Sequence, residues 1–116
     1  MMKRGEVWWA DLEPAQGSES KKMRPVVLVS RASASNAAAR RGRGVVTVVP
    51  LTSNTETVYS MQVLIDAQGA GLSKDSKAQA EQVRSIDVRR LQHQVGQLGA
   101  NYMKAIDAAL RLHLDL

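Results

Sequence analysis

The 116-residue chain contains no cysteine. That excludes a disulfide framework, a thiolate metal site and a cysteine nucleophile, and nothing places the chain in an oxidising compartment. Histidine is scarce: only His93 and His113 are present. His113 falls on the apolar stripe of a helical pattern, where a packed imidazole is the commoner arrangement, so a two-histidine mechanism is not expected. No apolar run approaches the length of a membrane span, and the basic start Met1 to Arg4 leads into Glu6, Asp11 and Glu13 without the unbroken apolar stretch of a signal peptide. A cytoplasmic protein with no membrane association is the expectation. Also missing are HExxH, any Asp/Glu/His cluster at ligand spacing, and the glycine patterns that cradle nucleotide phosphates, so neither metal nor cofactor is expected.

What is present is ordinary for a folded protein: 44% hydrophobic and 23% charged residues. The length suits one domain, residues 1–116, with a single modest core. The formal charge of +5 and an isoelectric point near 10.0 favour a polyanionic partner, nucleic acid or an acidic protein.

Along the chain, Glu6 to Leu12 reads as a first strand that stops at Pro14 and Gly17, followed by a polar loop, Ala15 to Met23. Pro25 to Ser30 and Gly44 to Pro50 are β-branched runs expected as strands buried on both faces. Ala32 to Arg43 between them reads as an exposed connection with one helical turn. Met61 to Asp66 alternates as a strand, Ala67 to Ser76 reads as a loop, and Lys77 to Val83 as a further strand, with strands dominating to about residue 86. From Asn101 onward, Tyr102, Ile106, Ala109, Leu110 and His113 recur at helical spacing, with Lys104, Asp107 and Arg111 elsewhere around the helix. Short strands with one terminal helix predict a small β-barrel or strongly bent sheet with a helix packed on it.

An enzyme built from this inventory works with Arg, Lys, Glu, Ser and Thr. RNA cleavage suits that set, because RNA carries its own nucleophile, the 2′-hydroxyl, and the protein need only position it, assist proton transfer and stabilise the phosphorane.

Arg4-Gly5-Glu6-Val7-Trp8, Asp11-Leu12-Glu13-Pro14, Gly17-Ser18-Glu19, Arg24-Pro25-Val26-Val27, Val49-Pro50-Leu51-Thr52-Ser53 and Ala80-Glu81-Gln82-Val83-Arg84-Ser85-Ile86-Asp87 with Arg90-Leu91 follow one another along nearly the whole chain. In order and spacing this set resembles the MazF/PemK toxins. No piece is specific alone, but six collinear pieces are. The resemblance implies an SH3-like small β-barrel of the MazF/CcdB type, mainly β with a C-terminal helix. It also implies the toxin of a type II toxin–antitoxin pair: a metal-independent endoribonuclease that cuts single-stranded RNA through 2′-hydroxyl attack, leaving 2′,3′-cyclic phosphate and 5′-hydroxyl ends. The implied partners are single-stranded RNA, a second copy of the chain in a homodimer, and a MazE-like antitoxin whose acidic disordered C-terminal segment blocks the RNA site.

Carried onto this sequence, Arg24 and Thr52 match the residues the family uses for cleavage. A guanidinium at Arg24 can grip the phosphate in bidentate fashion and neutralise transition-state charge; Thr52 can donate one further hydrogen bond. Taken alone, Arg24 is an exposed arginine before a proline and Thr52 a strand-end turn former. Glu19 is a weaker catalytic candidate, able to take the 2′-hydroxyl proton or to hold Arg24, or else a solvated loop carboxylate. Ser18, Ser53, Asn54 and Gln82 are candidates for reading unstacked base edges, and Lys21, with Lys22, for steering the RNA backbone or an acidic antitoxin; ordinary loop roles stand beside each. Arg40, Arg41 and Arg43 form the densest basic cluster and read as a solvated loop outside the site. Trp8 and Trp9 are adjacent in a strand and face opposite sides, one expected in the core and the other at an interface or the base of the groove. Two other classes remain open: a non-enzymatic toxin of the same barrel that inhibits gyrase, and a passive SH3-like module that binds nucleic acid or peptide.

Overall fold

The β-branched runs form the middle of the sheet, where side chains on both faces find apolar partners. The computed structural model describes residues 2–12 and 23–116. Strand β1 (Glu6–Asp11) pairs antiparallel with β2 (Met23–Leu28), and β2 with β3 (Val45–Thr52). β3 is long enough to serve two sheets. One edge holds β2. On the other, residues Val45 to Val48 pair with β6 (Arg84–Asp87), while Leu51 and Thr52 pair with β5 (Ser76–Gln79), which carries β4 (Gln62–Ile65). β7 (Leu91–Gln97) adds to the far edge of β1. The path β4-β5-β3-β2-β1-β7, with β6 branching from β3, does not close on itself.

Alternation along the central strands sends residues to two cores. Val7, Val27, Val49 and Leu51 meet Ile65, Leu98 and Ile106 on one face, beneath α3 (Ala100–Leu114). Val26, Leu28, Val46 and Val48 meet Ala10, Ile86 and Ala38 on the other, beneath α1 (Ala32–Arg41). This is why β2 and β3 read as unbroken apolar runs. Leu28, Leu51, Ile65 and Ile106 are fully buried, each contributing about 1.5–3 kcal/mol of transfer free energy.

The mainly-β body with a C-terminal helix matches the expectation; the connections do not all do so. The segment read as an exposed link with one helical turn is instead the ten-residue helix α1, with Ser35, Asn36 and Ala38 buried. Its alanines favour helix, and its small polar side chains are satisfied inside. Asn36 Oδ1 accepts the Met2 amide at 2.6 Å, and the Ser30 and Ser35 hydroxyls share a bond of 2.7 Å. The strand expected over Lys77 to Val83 ends at Gln79 and passes into a 3₁₀ turn, Ala80–Gln82. The loop Ala67 to Ser76 holds a single helical turn, α2 (Ala67–Ala70). The sheet runs on past residue 86 through β7, whose Gln92, His93 and Gln94 are exposed; a polar edge strand carries little hydrophobic signal. α3 buries Ile106 and Ala109 and half-buries Tyr102, Leu110 and His113, while Lys104 and Arg111 stay exposed.

Candidate functional site

Two prolines shape the site. Pro25 in β2 and Pro50 in β3 lack an N–H, so the ladder between these strands ends at the rung Val26–Pro50. Beyond it β3 turns its hydrogen bonds to β5, pairing Leu51 with Ala78 and Thr52 with Lys77. The strand ends part, and a cleft of about 440 Å³ opens there, lined by Trp9, Met23, Arg24, Pro25, Leu51, Thr52 and Ser53 on the β1–β2–β3 side. Arg24 and Thr52 each lie two residues beyond the last β2–β3 rung, and both line this cleft. Both are half-buried.

The Thr52 hydroxyl oxygen accepts the Asn54 amide at 3.3 Å, and Asn54 Oδ1 accepts the Glu56 amide at 3.3 Å. The turn-forming reading of Thr52 is therefore real, and it leaves the hydroxyl hydrogen available to donate. Ser53 is exposed in the cleft; Asn54 is exposed beside it, its amide nitrogen directed by the bond its oxygen makes. Downstream, the buried Lys77 donates to the Thr57 carbonyl and lies 5.6 Å from the centre of the Tyr59 ring, tying the β3–β4 loop to β5. Gln82 sits exposed in the 3₁₀ turn and does not line the cleft. Ser18, Glu19 and Lys21 lie outside the described residues. Arg40, Arg41 and Arg43 are exposed at and after the end of α1, away from the cleft.

The opposite wall is the turn between α2 and β5: Gly71, Leu72, Ser73 and Lys74, with Ser76 and Val95. Backbone contact with β7 places it. A Cβ on Gly71 would meet the Val95 carbonyl oxygen at 2.3 Å, and one on Gly96 the Ala70 carbonyl oxygen at 2.0 Å. The Asp75 carboxylate accepts the Ala67 amide at 2.9 Å and the Tyr102 hydroxyl of α3 accepts the Asp66 amide at 3.1 Å, which fixes both ends of the segment. Sequence reading missed this wall. Its glycines were visible, but only the long-range pairing of β3 with β5 brings the turn to the ends of β2 and β3.

The tryptophans share their faces as adjacent strand residues must. Trp9 lines the cleft, with Trp8 packed against the second core and its indole N–H donating to Glu6 at 2.9 Å. Both are half-buried. Among the described residues no group of three or more His, Asp or Glu is placed to hold a metal ion, and no helix is long and apolar enough to cross a membrane.

The family model of the PemK-like, MazF-like toxins of type II toxin–antitoxin systems matches residues 3–114. The chain belongs to this family. Endoribonuclease MazF9 of Mycobacterium tuberculosis is 53% identical over 116 residues, covering 100% of this chain and 98% of that protein. Among solved structures, M. tuberculosis toxin MazF-mt6 is 27% identical with a TM-score of 0.76, covering 96% of this chain and 97% of that one. A MazE–MazF complex from Deinococcus radiodurans is 25% identical with a TM-score of 0.76, covering 99% and 96%. The open, branched sheet with its C-terminal helix is thus the MazF-type toxin fold, and the cleft at the β2–β3 ends holds Arg24 and Thr52, which the sequence pattern marks.

Proposed function

We propose that this MazF-family toxin is an endoribonuclease that cuts single-stranded RNA at the cleft holding Arg24 and Thr52. The observation that supports the reading is that Arg24 and Thr52, chosen from separate sequence motifs, both line the cleft that opens where the β2–β3 ladder stops. The reaction is a transesterification. The 2′-oxygen attacks the adjacent phosphorus in line, the O2′–P bond forms, the P–O5′ bond breaks, and a 2′,3′-cyclic phosphate and a 5′-hydroxyl result. Arg24, with its planar fork of donors, grips the phosphate and balances the charge that builds on the phosphorane; Thr52 adds a donor held in place by the Asn54 amide. Glu19 is the proposed acceptor of the 2′-hydroxyl proton, and the departing 5′-oxygen takes up a proton from water to become the 5′-hydroxyl. Ser18, Lys21, Ser53, Asn54 and Gln82 are the proposed RNA contacts, selecting a short unpaired word through base edges that a duplex would hide.

The chain is one domain over residues 1–116 and acts in the cytoplasm as a homodimer. Its cognate antitoxin is MazE-like, in keeping with the MazE–MazF complex from D. radiodurans, and covers the RNA site with an acidic segment. The charge of +5 suits both polyanions.

The test is purified protein with a long unstructured RNA in excess EDTA, wild type beside Arg24→Ala, with fragment ends mapped. Discrete fragments ending in cyclic phosphate, lost about a hundredfold or more in the variant, are expected from removal of a transition-state donor. Intact RNA with folded protein would overturn the reading and move it to gyrase inhibition or passive binding, which a supercoiling assay and a gel shift separate.

A further inference from the structure

The second wall of the cleft carries a cation with no part in the chemistry above. Lys74 is exposed on the α2–β5 turn and lines the same cleft as Arg24 and Thr52. Its backbone is held from several sides. Gly71 is pressed against the Val95 carbonyl, Asp75 is bonded to the Ala67 amide, and the Ser76 hydroxyl donates to the Lys74 carbonyl at 3.2 Å. The stem therefore springs from a fixed point while the ammonium group ends in solvent. Among the described residues the ion pairs are Arg4–Asp107 and Arg89–Asp87, so no described acid engages Lys74.

We propose that Lys74 is an RNA-backbone contact that holds a phosphate next to the scissile one. This rests on the ribonuclease reading and adds a residue to it. The division of labour follows from the two side chains and their burial. Arg24 is half-buried and presents a rigid fork, which suits the one phosphate that must be oriented for in-line attack. Lys74 is an exposed point charge on a flexible stem, which suits a phosphate that needs neutralising but not aligning. The α2–β5 wall borders the cleft with the exposed Ser73 and Lys74, so a strand whose reacting phosphate lies at Arg24 and Thr52 can pass alongside them. Uniform attraction of this kind favours ground state and transition state equally, so it acts on binding and leaves the chemical step alone.

The experiment first locates an RNA site that the wild-type protein cuts, then titrates a fluorescent 2′-O-methyl copy, which cannot be cleaved, with wild type, Lys74→Gln, Lys74→Arg and Lys104→Gln over a range of salt. Lys104 is exposed on α3 outside the cleft and serves as the control for net charge. Lys74→Gln is expected to weaken binding and raise KM about two- to fivefold, with kcat unchanged. It is also expected to reduce the slope of log K against log salt by about 0.7, the value of one single-strand phosphate contact. Lys74→Arg keeps both, and Lys104→Gln changes neither slope nor kcat. An unchanged slope in Lys74→Gln overturns the proposal and leaves the lysine to an acidic protein partner; a loss confined to kcat overturns it as well and moves the lysine to the chemical step. A wild-type protein that cuts no RNA overturns the ribonuclease reading and this inference with it, an outcome told apart at the first step.

Discussion

Glycine at position 71 is required twice. Its φ of +73° lies in the left-handed region, and the space its side chain would occupy is taken by the Val95 carbonyl oxygen, 2.3 Å from an ideal Cβ. Gly42, the left-handed cap of α1, meets only the first demand, since nothing lies within 4 Å of its Cβ position. The pair separates strain from clash. Gly42→Ala is expected to cost about 1–2 kcal/mol, the left-handed penalty alone. Gly71→Ala adds the displacement of β7 backbone and is expected to cost a further 1–3 kcal/mol or so, read from urea midpoints at constant slope. It should also raise KM for RNA, because the turn that moves is a wall of the cleft. Equal costs for the two variants would show that the α2–β7 contact gives way easily.

Among the elements, the 3₁₀ turn that opens β7 shows how a short polar sequence sets an edge strand. Asp87 ends β6, and its carboxylate accepts the Arg89 amide at 2.9 Å and the Arg89 guanidinium at 3.0 and 2.8 Å. Arg89 thereby lowers the Asp87 pKa from 3.8 to about 2, its side-chain hydrogen bond being the largest cause and its backbone bond the next. A depressed carboxylate stabilises the fold above its unfolded pKa and loses that contribution as pH falls through the folded value. The effect here is fully present above about pH 5 and is lost as pH falls through about 2. The pair is solvent-exposed, so the contribution is small. Arg89→Ala is expected to return the Asp87 titration, followed by carboxyl NMR, toward 3.8, and to destabilise slightly at neutral pH, the difference from wild type vanishing as pH falls below about 2. An unmoved titration would mean that the backbone amide alone holds the carboxylate down.

The same elements explain what the sequence made legible. β1, β2 and β3 stood out because burial on both faces leaves continuous apolar runs. α3 stood out because one face is buried and the other wet. β7 is a polar edge whose partners are distant in sequence, and α1 hides a buried face behind Ala, Ser and Asn, residues whose hydrophobicity says little; neither has a periodic signal. Arg24 and Thr52 were legible through the order of motifs around them. Lys74 was not, since its nearness to them depends on β3 leaving β2 for β5 and on two glycines meeting across α2 and β7.

For the molecule as a whole, the question is whether two cores make one cooperative unit. The cluster beneath α3 and the cluster beneath α1 share no buried side chain, yet both are built from alternate residues of β2 and β3. A strand cannot release one face and keep the other, because its backbone bonds hold both. Loss of either core therefore removes the support of the second, and the chain is expected to unfold in a single transition. Ile106→Ala empties a site in the first core and Leu28→Ala one in the second; both residues are fully buried. Each is expected to cost about 2–5 kcal/mol, and each to lower the same urea midpoint with an unchanged slope, seen alike by tryptophan fluorescence and by far-ultraviolet circular dichroism. Trp8 packs on the second core while Trp9 lines the cleft beside the first, so fluorescence senses both. Two separated transitions, or a variant that melts one signal before the other, would show that α3 with β4 and β5 forms a unit of its own. The cleft, whose walls come from β2 and β3 on one side and from the α2–β5 turn on the other, would then open before the fold is lost.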